Sequence, residues 1–487
     1  MDLPPAATTP VIPGFFPDPS VCRGGDTLYL ANSSFEYSPG VPLWRSDDLV
    51  TWHEVGHALD GDPAFTAGDA APGGGVYAPT LRHHDGRFWM ITTNVSGAPG
   101  QLVTSAPAIE GPWAPAQVIA GIPGIDPDLA WDDDGTCLVS YSSNTSEVPG
   151  IGQVPVDLER GVVTGPARSI MPGTGLAYPE GPHVFRRGDW WYLLFAEGGT
   201  ERGHCVSVAR GPAASGPFEL CPANPILTRR STTFPVQNTG HADMVELADG
   251  SWAMVYLGVR PRGATPLFHV NGRETFVAGI DWVEDWPVVV ADRYEIPAPE
   301  TDFVDRFETL HARWISPGAA PSAFATAGDG VVLRCSADSP GGAPAMLGVR
   351  ARDPYWRFAA VTEARDGAAV RVRMDERHWY ELRLAGGRAV VHAQIGSVAQ
   401  EFAADVPLAV DGAIELRVRA DAATTGGPDD LVFEVASAYG IHPLARLDGR
   451  YLSTEVAGGF VGRVIGLRAL DGPVRFTEAR YAAERAD

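Results

Sequence analysis

Residues 177–200 read Ala-Tyr-Pro-Glu-Gly-Pro-His-Val-Phe-Arg-Arg-Gly-Asp-Trp-Trp-Tyr-Leu-Leu-Phe-Ala-Glu-Gly-Gly-Thr, and the architecture of the chain follows from them. One acid, Glu180, stands in a turn that proline and glycine constrain, and a short apolar strand follows it. A polar turn at residues 187–189 leads into a second strand built of aromatic residues and leucine. The stretch predicts two antiparallel strands, with an acid where the first strand begins.

This pattern of strand, turn and strand occurs five times along the chain. The five turns begin at residues 25, 85, 134, 188 and 249, so successive copies are 60, 49, 54 and 61 residues apart. A period of roughly 50 residues with short strands is typical of a propeller blade, in which four strands are arranged radially. The repeat therefore predicts a five-bladed β-propeller over residues 10–295.

The residue seven or eight positions before each turn suggests a site. These residues are Asp18, Ala78, Asp126, Glu180 and His241. Rotation about the propeller axis relates equivalent positions, so we expect these side chains to point into one central funnel. An Asp before Pro is also a common turn former. Three acids at one repeat position favour a paired-carboxylate site for glycoside hydrolysis, with a third acid that tunes the second.

The second part of the chain has a different pattern. Residues 296–300 have the composition of a linker. Beyond them, strictly alternating apolar and polar residues occur at 370–374, 380–384, 414–418 and 431–435, bounded by Gly and Asp turns. Such alternation indicates half-buried antiparallel strands. We therefore expect an all-β protein, in which a lectin-like β-sandwich (jelly roll) over residues 300–483 follows the propeller.

Composition limits the partners and the compartment. With 37 Lys and Arg against 60 Asp and Glu, the formal net charge of −23 argues against nucleic acid and anionic membrane as partners. No apolar run reaches 18 residues, and residues 1–10 lack the features of a signal peptide. Five cysteines, odd in number and without paired spacing, are expected to be free thiols. These features predict a cytoplasmic protein and leave a homo-oligomer open.

Further residues are candidates for sugar binding. A guanidinium from Arg273 in the funnel would lower the pKa of a neighbouring carboxylate and bind hydroxyls, although an exposed pair with Glu274 is an equal alternative. His241 would orient the ligand or bind an ion, which leaves open a structural calcium ion near it. No cofactor is required and no metal ligand set is predicted. Phe35 and Tyr77 are candidates as well, because they lie near the points where the inner strands are predicted to begin.

Several ordered motifs together resemble glycoside hydrolase family 43. They include Phe-Phe-Pro-Asp-Pro-Ser at 15–20, Gly-Gly-Val-Tyr-Ala-Pro-Thr at 74–80, Gly-Ile-Asp-Pro-Asp-Leu at 124–129 and Gly-Arg-Glu-Thr at 272–275. Residues 34–42, 180–183, 196–200 and 240–243 extend the resemblance. The chain is most similar to the β-xylosidase and α-L-arabinofuranosidase type of this family, which carries a C-terminal β-sandwich.

The resemblance implies an inverting, exo-acting hydrolase. Asp18 matches the general base and Glu180 the general acid. Asp126 matches the residue that positions and tunes that acid. Arg273 matches an arginine bound at the terminal sugar. Phe460 lies in a sandwich segment, Gly-Gly-Phe-Val-Gly at 458–462, that in similar enzymes reaches over the active site.

The sequence leaves the substrate partly open. Tyr77 stands where many family members have Trp, so the preference between xylose and arabinose is undecided. We expect an exo-glycosidase that releases terminal xylose from β-1,4-xylo-oligosaccharides, with α-L-arabinofuranosidase as a companion or main activity. A non-catalytic sugar-binding propeller is the alternative from another class, and the three acids disfavour it. A retaining enzyme of the invertase type would need an Asn-Asp-Pro-Asn context, which is lacking at Asp18.

Overall fold

The computed structural model describes residues 8–62, 70–335, 345–404 and 412–484. In these ranges helix is limited to one turn, α1 (Thr454–Ala457), and two 3-10 turns, Pro321–Ala323 and Gly449–Leu452. The prediction of an all-β protein is confirmed. Residues 336–344 and 405–411 of the predicted sandwich lie outside the described ranges.

Five antiparallel sheets make up the first part of the chain. The first contains β1 (Ser20–Gly24), β2 (Thr27–Ala31), β4 (Gly40–Ser46) and β5 (His53–Leu59), while β3 (Tyr37–Ser38) pairs elsewhere. The second contains β6 (Thr80–His84), β7 (Arg87–Thr92), β8 (Gln101–Ala106) and β9 (Gln117–Ile119). The third contains β10 (Ile125–Trp131), β11 (Cys137–Ser142), β12 (Ile151–Asp157), β13 (Val162–Val163) and β14 (Arg168–Met171).

The last two of these sheets continue the pattern. The fourth contains β15 (Glu180–Arg187), β16 (Trp190–Glu197), β17 (Cys205–Gly211), β18 (Glu219–Leu220) and β19 (Leu227–Thr228). The fifth contains β20 (Gln237–Glu246), β21 (Trp252–Val259), β22 (Glu274–Val283) and β23 (Trp286–Val290). In each of these five sheets, the repeat position lies in the first strand or just before it. This first strand pairs with the strand that follows the predicted turn.

Glycine turns explain why these strands pair in register. Arg187 pairs with Trp190 across a two-residue turn in which Gly188 has φ +60°. Such tight hairpin turns need positive φ values, and their backbone twist matches that of the flanking strands. Successive sheets then share buried apolar clusters. One cluster contains Leu30 of β2 and Val255 of β21, so the fifth sheet packs against the first.

The second part of the chain forms two facing sheets. One contains β24 (Phe303–Asp305), β26 (Ala325–Gly328), β27 (Gly330–Leu333), β29 (Trp356–Glu363), β34 (Ala413–Asp421), β35 (Asp430–Ser437), β36 (Gly440–Asp448) and β38 (Val474–Ala483), and β25 (Ser316–Pro317) pairs with β3. The other contains β28 (Leu347–Arg350), β30 (Ala368–Arg373), β31 (His378–Ala385), β32 (Arg388–Ile395), β33 (Val398–Ala404) and β37 (Val464–Ala469). Inward-facing residues of both sheets form a single apolar core.

Polar contacts join the two parts of the chain. Tyr37 in β3 pairs with Pro317 in β25, and Arg373 Nη1 donates a hydrogen bond to the Tyr37 hydroxyl at 3.0 Å. Asn271 Nδ2 donates to the carbonyl oxygens of Ala351 at 3.2 Å and Asp353 at 3.0 Å. These bonds hold the sandwich against connections within the first sheet, between β2 and β4, and within the fifth sheet, between β21 and β22.

Two sequence-based expectations concern the cysteines and membranes. All five cysteines are buried free thiols. Among the described residues, no helix has both the length and the apolar character that crossing a membrane requires.

Candidate active site

All eight residues that the sequence nominated line one small pocket. It has a volume of about 70 Å³ and lies where the inner strands of the five sheets begin. Its walls are formed by Asp18, Phe35, Tyr77, Asp126, Glu180, His241, Arg273 and Phe460, together with Ala78, Ile125 and Thr200.

An unusual backbone conformation directs the side chains into this pocket. Asp18, Asp126 and His241 have φ values of +53°, +57° and +43°, a region that residues other than glycine seldom occupy. The register of β10, β15 and β20 also shifts at the pocket, so these three inner strands bulge there. Strain and bulges of this kind concentrate at functional sites, where they re-aim side chains.

Asp18 is buried and held in its ionised form. Arg273 Nη1 donates to Asp18 Oδ1 at 2.9 Å, and the Ser33 hydroxyl donates to Oδ2 at 2.5 Å. Burial by itself would raise the pKa of Asp18, but Arg273, His241 and Ser33 outweigh it and lower that pKa below its usual value. A carboxylate that stays ionised can accept a proton from water, so Asp18 has the properties of a general base.

Glu180 and Asp126 have the opposite character. Burial raises the pKa of Glu180 to about 7, and the negative charge of Asp18 adds to the rise while Arg273 opposes it. Burial also raises the pKa of Asp126 well above its usual value, and the charges of Glu180 and Asp18 add to that rise. The Gly181 amide donates to Asp126 Oδ2 at 3.1 Å. The pair therefore keeps a proton near neutral pH, which a general acid requires.

The alternative of an exposed Arg273 paired with Glu274 does not occur. Arg273 is buried in the pocket, where its Nη1 also donates to the Thr200 hydroxyl at 3.0 Å. Glu274 instead pairs with Arg260, with Nε and Oε2 2.6 Å apart. The Arg273 guanidinium thus lies beside Asp18 in the wall of the pocket.

Three aromatic rings cover the pocket. The rings of Phe35 and Phe460 stack at 5.8 Å between centroids, and Tyr77 meets both rings edge-on at 5.6 and 5.7 Å. Arg273 lies 5.5 Å from the Phe35 centroid and 5.4 Å from that of Phe460, within reach of cation–π attraction. Trp191, by contrast, is buried in an apolar cluster away from the pocket.

A close backbone approach brings the sandwich residue Phe460 to this place. A Cβ atom on Gly462 would lie 2.3 Å from the Asn271 carbonyl oxygen, and one on Gly272 would lie 2.9 Å from the Gly462 amide nitrogen. Glycine is therefore needed on both sides of the contact. The segment with Phe460 rests directly on the loop that carries Arg273.

Two residues of the site were not nominated from the sequence, Thr200 and His204. His204 Nδ1 lies 3.0 Å from the Asn238 carbonyl oxygen, which can only accept, so Nδ1 carries the hydrogen. Burial lowers the pKa of His204 to about 3, so the ring is neutral and Nε2 presents a lone pair. That atom lies 3.8 Å from Glu180 Oε1 and has no hydrogen-bond partner among the described residues. No repeat position or motif marks His204 in the sequence.

His241 lies beside the base. Its Nδ1 is 3.7 Å from Asp18 Oδ1, and burial lowers its pKa to about 4, so the ring is neutral near pH 7. In the described part of the chain, no group of three or more His, Cys, Asp or Glu side chains is arranged to hold a metal ion. A calcium ion near His241 stays a prediction.

A buried ion network below the pocket fixes the inner strands. Arg82 of β6 bridges Asp128 of β10 at 2.7 Å and Asp243 of β20 at 2.8 Å. Asp243 also accepts from the Ser20 hydroxyl of β1 at 3.0 Å, and Asp128 accepts from the Val184 amide of β15 at 2.8 Å. All five inner strands are thus joined two to four residues beyond the repeat positions, which holds the catalytic candidates in place.

Two family models match the chain in sequence. The model of glycosyl hydrolases family 43 matches residues 7–287. The model of the beta xylosidase C-terminal concanavalin A-like domain matches residues 336–482, which agrees with the two facing sheets described above.

Relatives match over nearly the whole length. A xylosidase/arabinosidase of Butyrivibrio fibrisolvens is 34% identical, over 95% of this chain and 95% of the relative. The non-reducing end alpha-L-arabinofuranosidase BoGH43B of Bacteroides ovatus is 34% identical, over 94% and 90%.

Solved structures agree with these matches. The Bacteroides ovatus xyloglucan PUL GH43B has a TM-score of 0.87 at 31% identity, over 98% of this chain and 99% of that chain. The xylan beta-1,4-xylosidase of Bacillus halodurans C-125 has a TM-score of 0.85 at 26% identity, over 97% and 99%. With three carboxylates in its pocket, this chain belongs to glycosyl hydrolases family 43 and is a glycoside hydrolase.

Proposed function

We propose that the chain is an inverting, exo-acting hydrolase that releases a terminal pentose, xylose first, from β-1,4-xylo-oligosaccharides. The observation that carries this proposal is the pocket itself, where one ionised acid faces a proton-holding pair of acids under an aromatic cover. Inverting glycosidases need this division between a base and an acid.

Each acid has a role in the proposed reaction. Asp18, whose pKa is lowered, accepts a proton from the water that attacks the anomeric carbon. Glu180, whose pKa is raised to about 7, donates its proton to the leaving-group oxygen. Asp126 shares the pocket with Glu180, whose charge adds to the rise in the pKa of Asp126, so the two acids together hold a proton for the leaving group. Glu180 is the most exposed of the three, with 19% of its side chain accessible, as suits a group that meets the leaving sugar.

The size of the pocket supports exo action. The pocket is small, about 70 Å³, and the packed rings of Phe35, Tyr77 and Phe460 form part of its wall. A polysaccharide chain could not thread through such a site, whereas its terminal residue could enter. Arg273, Thr200 and His241 offer hydrogen-bond partners to the hydroxyls of that residue.

A second candidate substrate is a terminal α-L-arabinofuranoside. The names of the Butyrivibrio and Bacteroides relatives include arabinosidase or arabinofuranosidase activity, and Tyr77, which stands where many family members have Trp, lines the pocket. Xylopyranose and arabinofuranose present similar hydroxyl arrangements to one pocket. Arabinofuranosidase activity therefore accompanies or replaces xylosidase activity under this proposal.

The test is a panel of nitrophenyl glycosides followed by proton NMR of xylobiose hydrolysis. We expect turnover of β-xyloside or α-L-arabinofuranoside, and α-xylose as the first anomer released. Asp18→Asn keeps the size of the side chain but removes the base, and it should be inactive while remaining folded. Initial β-xylose would contradict inversion, and full activity of the folded Asp18→Asn variant would contradict the role of Asp18.

The wider predictions belong to the same proposal. We propose that the five sheets are the blades of a five-bladed β-propeller over residues 10–295, and that residues 300–483 are a separate sandwich domain. Shared apolar clusters between successive sheets support the first point. A cytoplasmic location, a homo-oligomer and a calcium ion near His241 stay predictions. Activity after treatment with a chelator tests the last of these.

A further inference from the structure

A second cavity lies where the first sheet, residues 297–303 and the sandwich meet. It has a volume of about 530 Å³, and none of its lining residues belongs to the pocket around Asp18. We call it the junction cavity; its lining includes Glu54, Arg313, Arg350 and Arg352. Its volume falls within the range of about 300–1,000 Å³ that is usual for small-molecule sites.

The junction cavity contains a buried arginine to which no acid in the described ranges is hydrogen-bonded through Nε or Nη2. Arg350 is only 4% exposed, and its Nε and Nη2 atoms have no hydrogen-bond partner among the described residues. Its guanidinium lies 4.5 Å from the centroid of Phe15 and 4.3 Å from that of Phe16. Cation–π attraction replaces only part of the lost hydration. The group is therefore poised for an acceptor that enters the cavity.

Two further arginines add to the positive charge. Arg313 lies 4.4 Å from the Phe303 centroid, and its Nε is also buried without a partner in the described ranges. Arg352 donates through Nε to the Pro13 carbonyl oxygen at 3.2 Å. Burial lowers the pKa of Arg350 to about 10 and lowers those of Arg313 and Arg352 as well. An anion between these groups would relieve that destabilisation.

Glu54 does not supply this anion. It lies opposite Trp44 in the pairing of β4 with β5. Its Oε1 is buried without a partner in the described part of the chain, and burial raises its pKa despite the three arginines. Glu54 thus offers a hydrogen bond to a ligand hydroxyl. Glu300 and Asp302, the other acids of the lining, are exposed to solvent.

We propose that the junction cavity binds a small hydroxylated carboxylate of the sugar-acid class. Its carboxylate would contact Arg350 and Arg313, and a hydroxyl would contact Glu54. The cavity far exceeds the size of a phosphate ion, so a larger ligand that carries one carboxylate and several hydroxyls fits it better. Trp52 and Phe16 in the lining suit the apolar face of a sugar ring.

Calorimetric titration of the full chain with D-glucuronate tests the proposal. We expect saturable binding of glucuronate and none of D-glucuronamide, which has the same shape without the charge. Arg350→Gln and Arg313→Gln should each weaken binding by roughly tenfold or more, because each removes a charge-assisted hydrogen bond. Arg306→Gln is the matched control, because Arg306 has a 75% exposed side chain, pairs with Glu478 and does not line the cavity.

Titration of Arg273→Gln separates this cavity from the catalytic pocket, and it should bind glucuronate as the unmodified chain does. Binding that is lost in Arg273→Gln but kept in Arg350→Gln would overturn the proposal. The proposal would also be overturned by any of three other results. These are equal binding of glucuronamide, tighter binding of inorganic phosphate, and no saturable binding of glucuronate. Circular dichroism checks folding of the variants. If Arg350→Gln does not fold, glucuronate binding by Arg313→Gln tests the proposal instead, because Arg313 is only half-buried.

Discussion

Glu180 is the residue whose protonation state controls the proposed reaction. Replacing it with Gln removes the proton that a sugar leaving group needs, whereas a dinitrophenolate leaves without one. Glu180→Gln should lower kcat on xylobiose by about a hundredfold or more and lower kcat on a dinitrophenyl glycoside far less. Steady-state kinetics on both substrates provide the measurement. Equal losses would transfer the role of acid to Asp126.

The pH profile of kcat/KM gives an independent check on the same residue. Glu180 must be protonated, and burial together with the charge of Asp18 raises its pKa to about 7. Activity on xylobiose should therefore fall as pH rises through about 7. Asp18 must be ionised, and its lowered pKa keeps it so throughout the neutral range. In Glu180→Gln the basic limb should disappear from the residual activity.

At this scale the sequence predicted the acids but not their neighbours. Asp18, Asp126 and Glu180 share one repeat position, and rotation brings equivalent positions together, so their convergence could be expected. Thr200 and His204 lie in the connection between β16 and β17, where no repeat position marks them. A single threonine or histidine in a loop carries no signal of its own, and its place in the site depends on tertiary structure.

The segment 458–462 is the element that closes the pocket. Phe460→Ala would remove ring contacts with Phe35 and Tyr77 and the cation–π contact with Arg273. Aromatic pairs of this kind contribute about 0.5–1.5 kcal/mol each, so kcat/KM should fall roughly tenfold. Tyr451→Ala is the matched control, because Tyr451 is an exposed sandwich aromatic that does not line the pocket. Similar losses in the two variants would contradict a specific role for Phe460.

Glu36, next to β3, should make stability depend on pH. The Gly73 amide donates to Glu36 Oε2 at 3.2 Å, while Oε1 is buried without a partner among the described residues. Burial raises the pKa of Glu36 to about 7, and Arg373 only partly opposes this. A folded-state pKa above the unfolded value means that the stabilisation is complete below about pH 4.5 and lost as pH rises through about 7.

Glu36→Gln should therefore lose less stability than the unmodified chain between about pH 5 and about pH 8. A change from the usual 4.5 to about 7 corresponds to roughly 3 kcal/mol, which is the upper limit of the effect. Urea unfolding at the two pH values measures it. Glu180→Gln, measured in parallel, controls for one of the other carboxyl groups whose pKa is raised. Identical pH dependence in Glu36→Gln and the unmodified chain would show that Glu36 ionises without cost.

Strands were predictable because their signal is local, whereas the approach of the sandwich to the pocket was not. Glycine turns and alternating residues predicted the hairpins, such as Arg187 opposite Trp190. The contact between Gly272 and Gly462 joins residues far apart in sequence, and nothing near either glycine indicates its partner. The place of Phe460 was implied only by the family resemblance.

For the whole molecule, the site depends on both parts of the chain. A chain ending at Pro299 would lack Phe460, Arg373 and the acceptors of Asn271. It should lose at least as much kcat/KM as Phe460→Ala, because the loop of Arg273 would also lose its support. Kinetics of the two variants side by side, with circular dichroism as the check on folding, measure this. A folded fragment with unchanged kcat/KM would make the sandwich an appendage.

Domain order could be predicted from the change of pattern near residue 296, yet the junction cavity could not. Its walls come from residues around 11–54, 297–313, 349–352 and 481, which meet only when both parts are folded and packed together. Periodicity reports which side of a strand is buried, but it does not report what faces that side.

The pairing of Ile12 with Thr275 has a consequence for biosynthesis. On a ribosome the first sheet emerges early, but its neighbour in the fifth sheet is still untranslated, so the circle of sheets stays open until about half of the polypeptide has been released. During this time Asp18 has been synthesised but its partner Arg273 has not. Phe460 is the last of the three residues to be synthesised. The pocket of a nascent chain thus lacks part of its wall almost until termination.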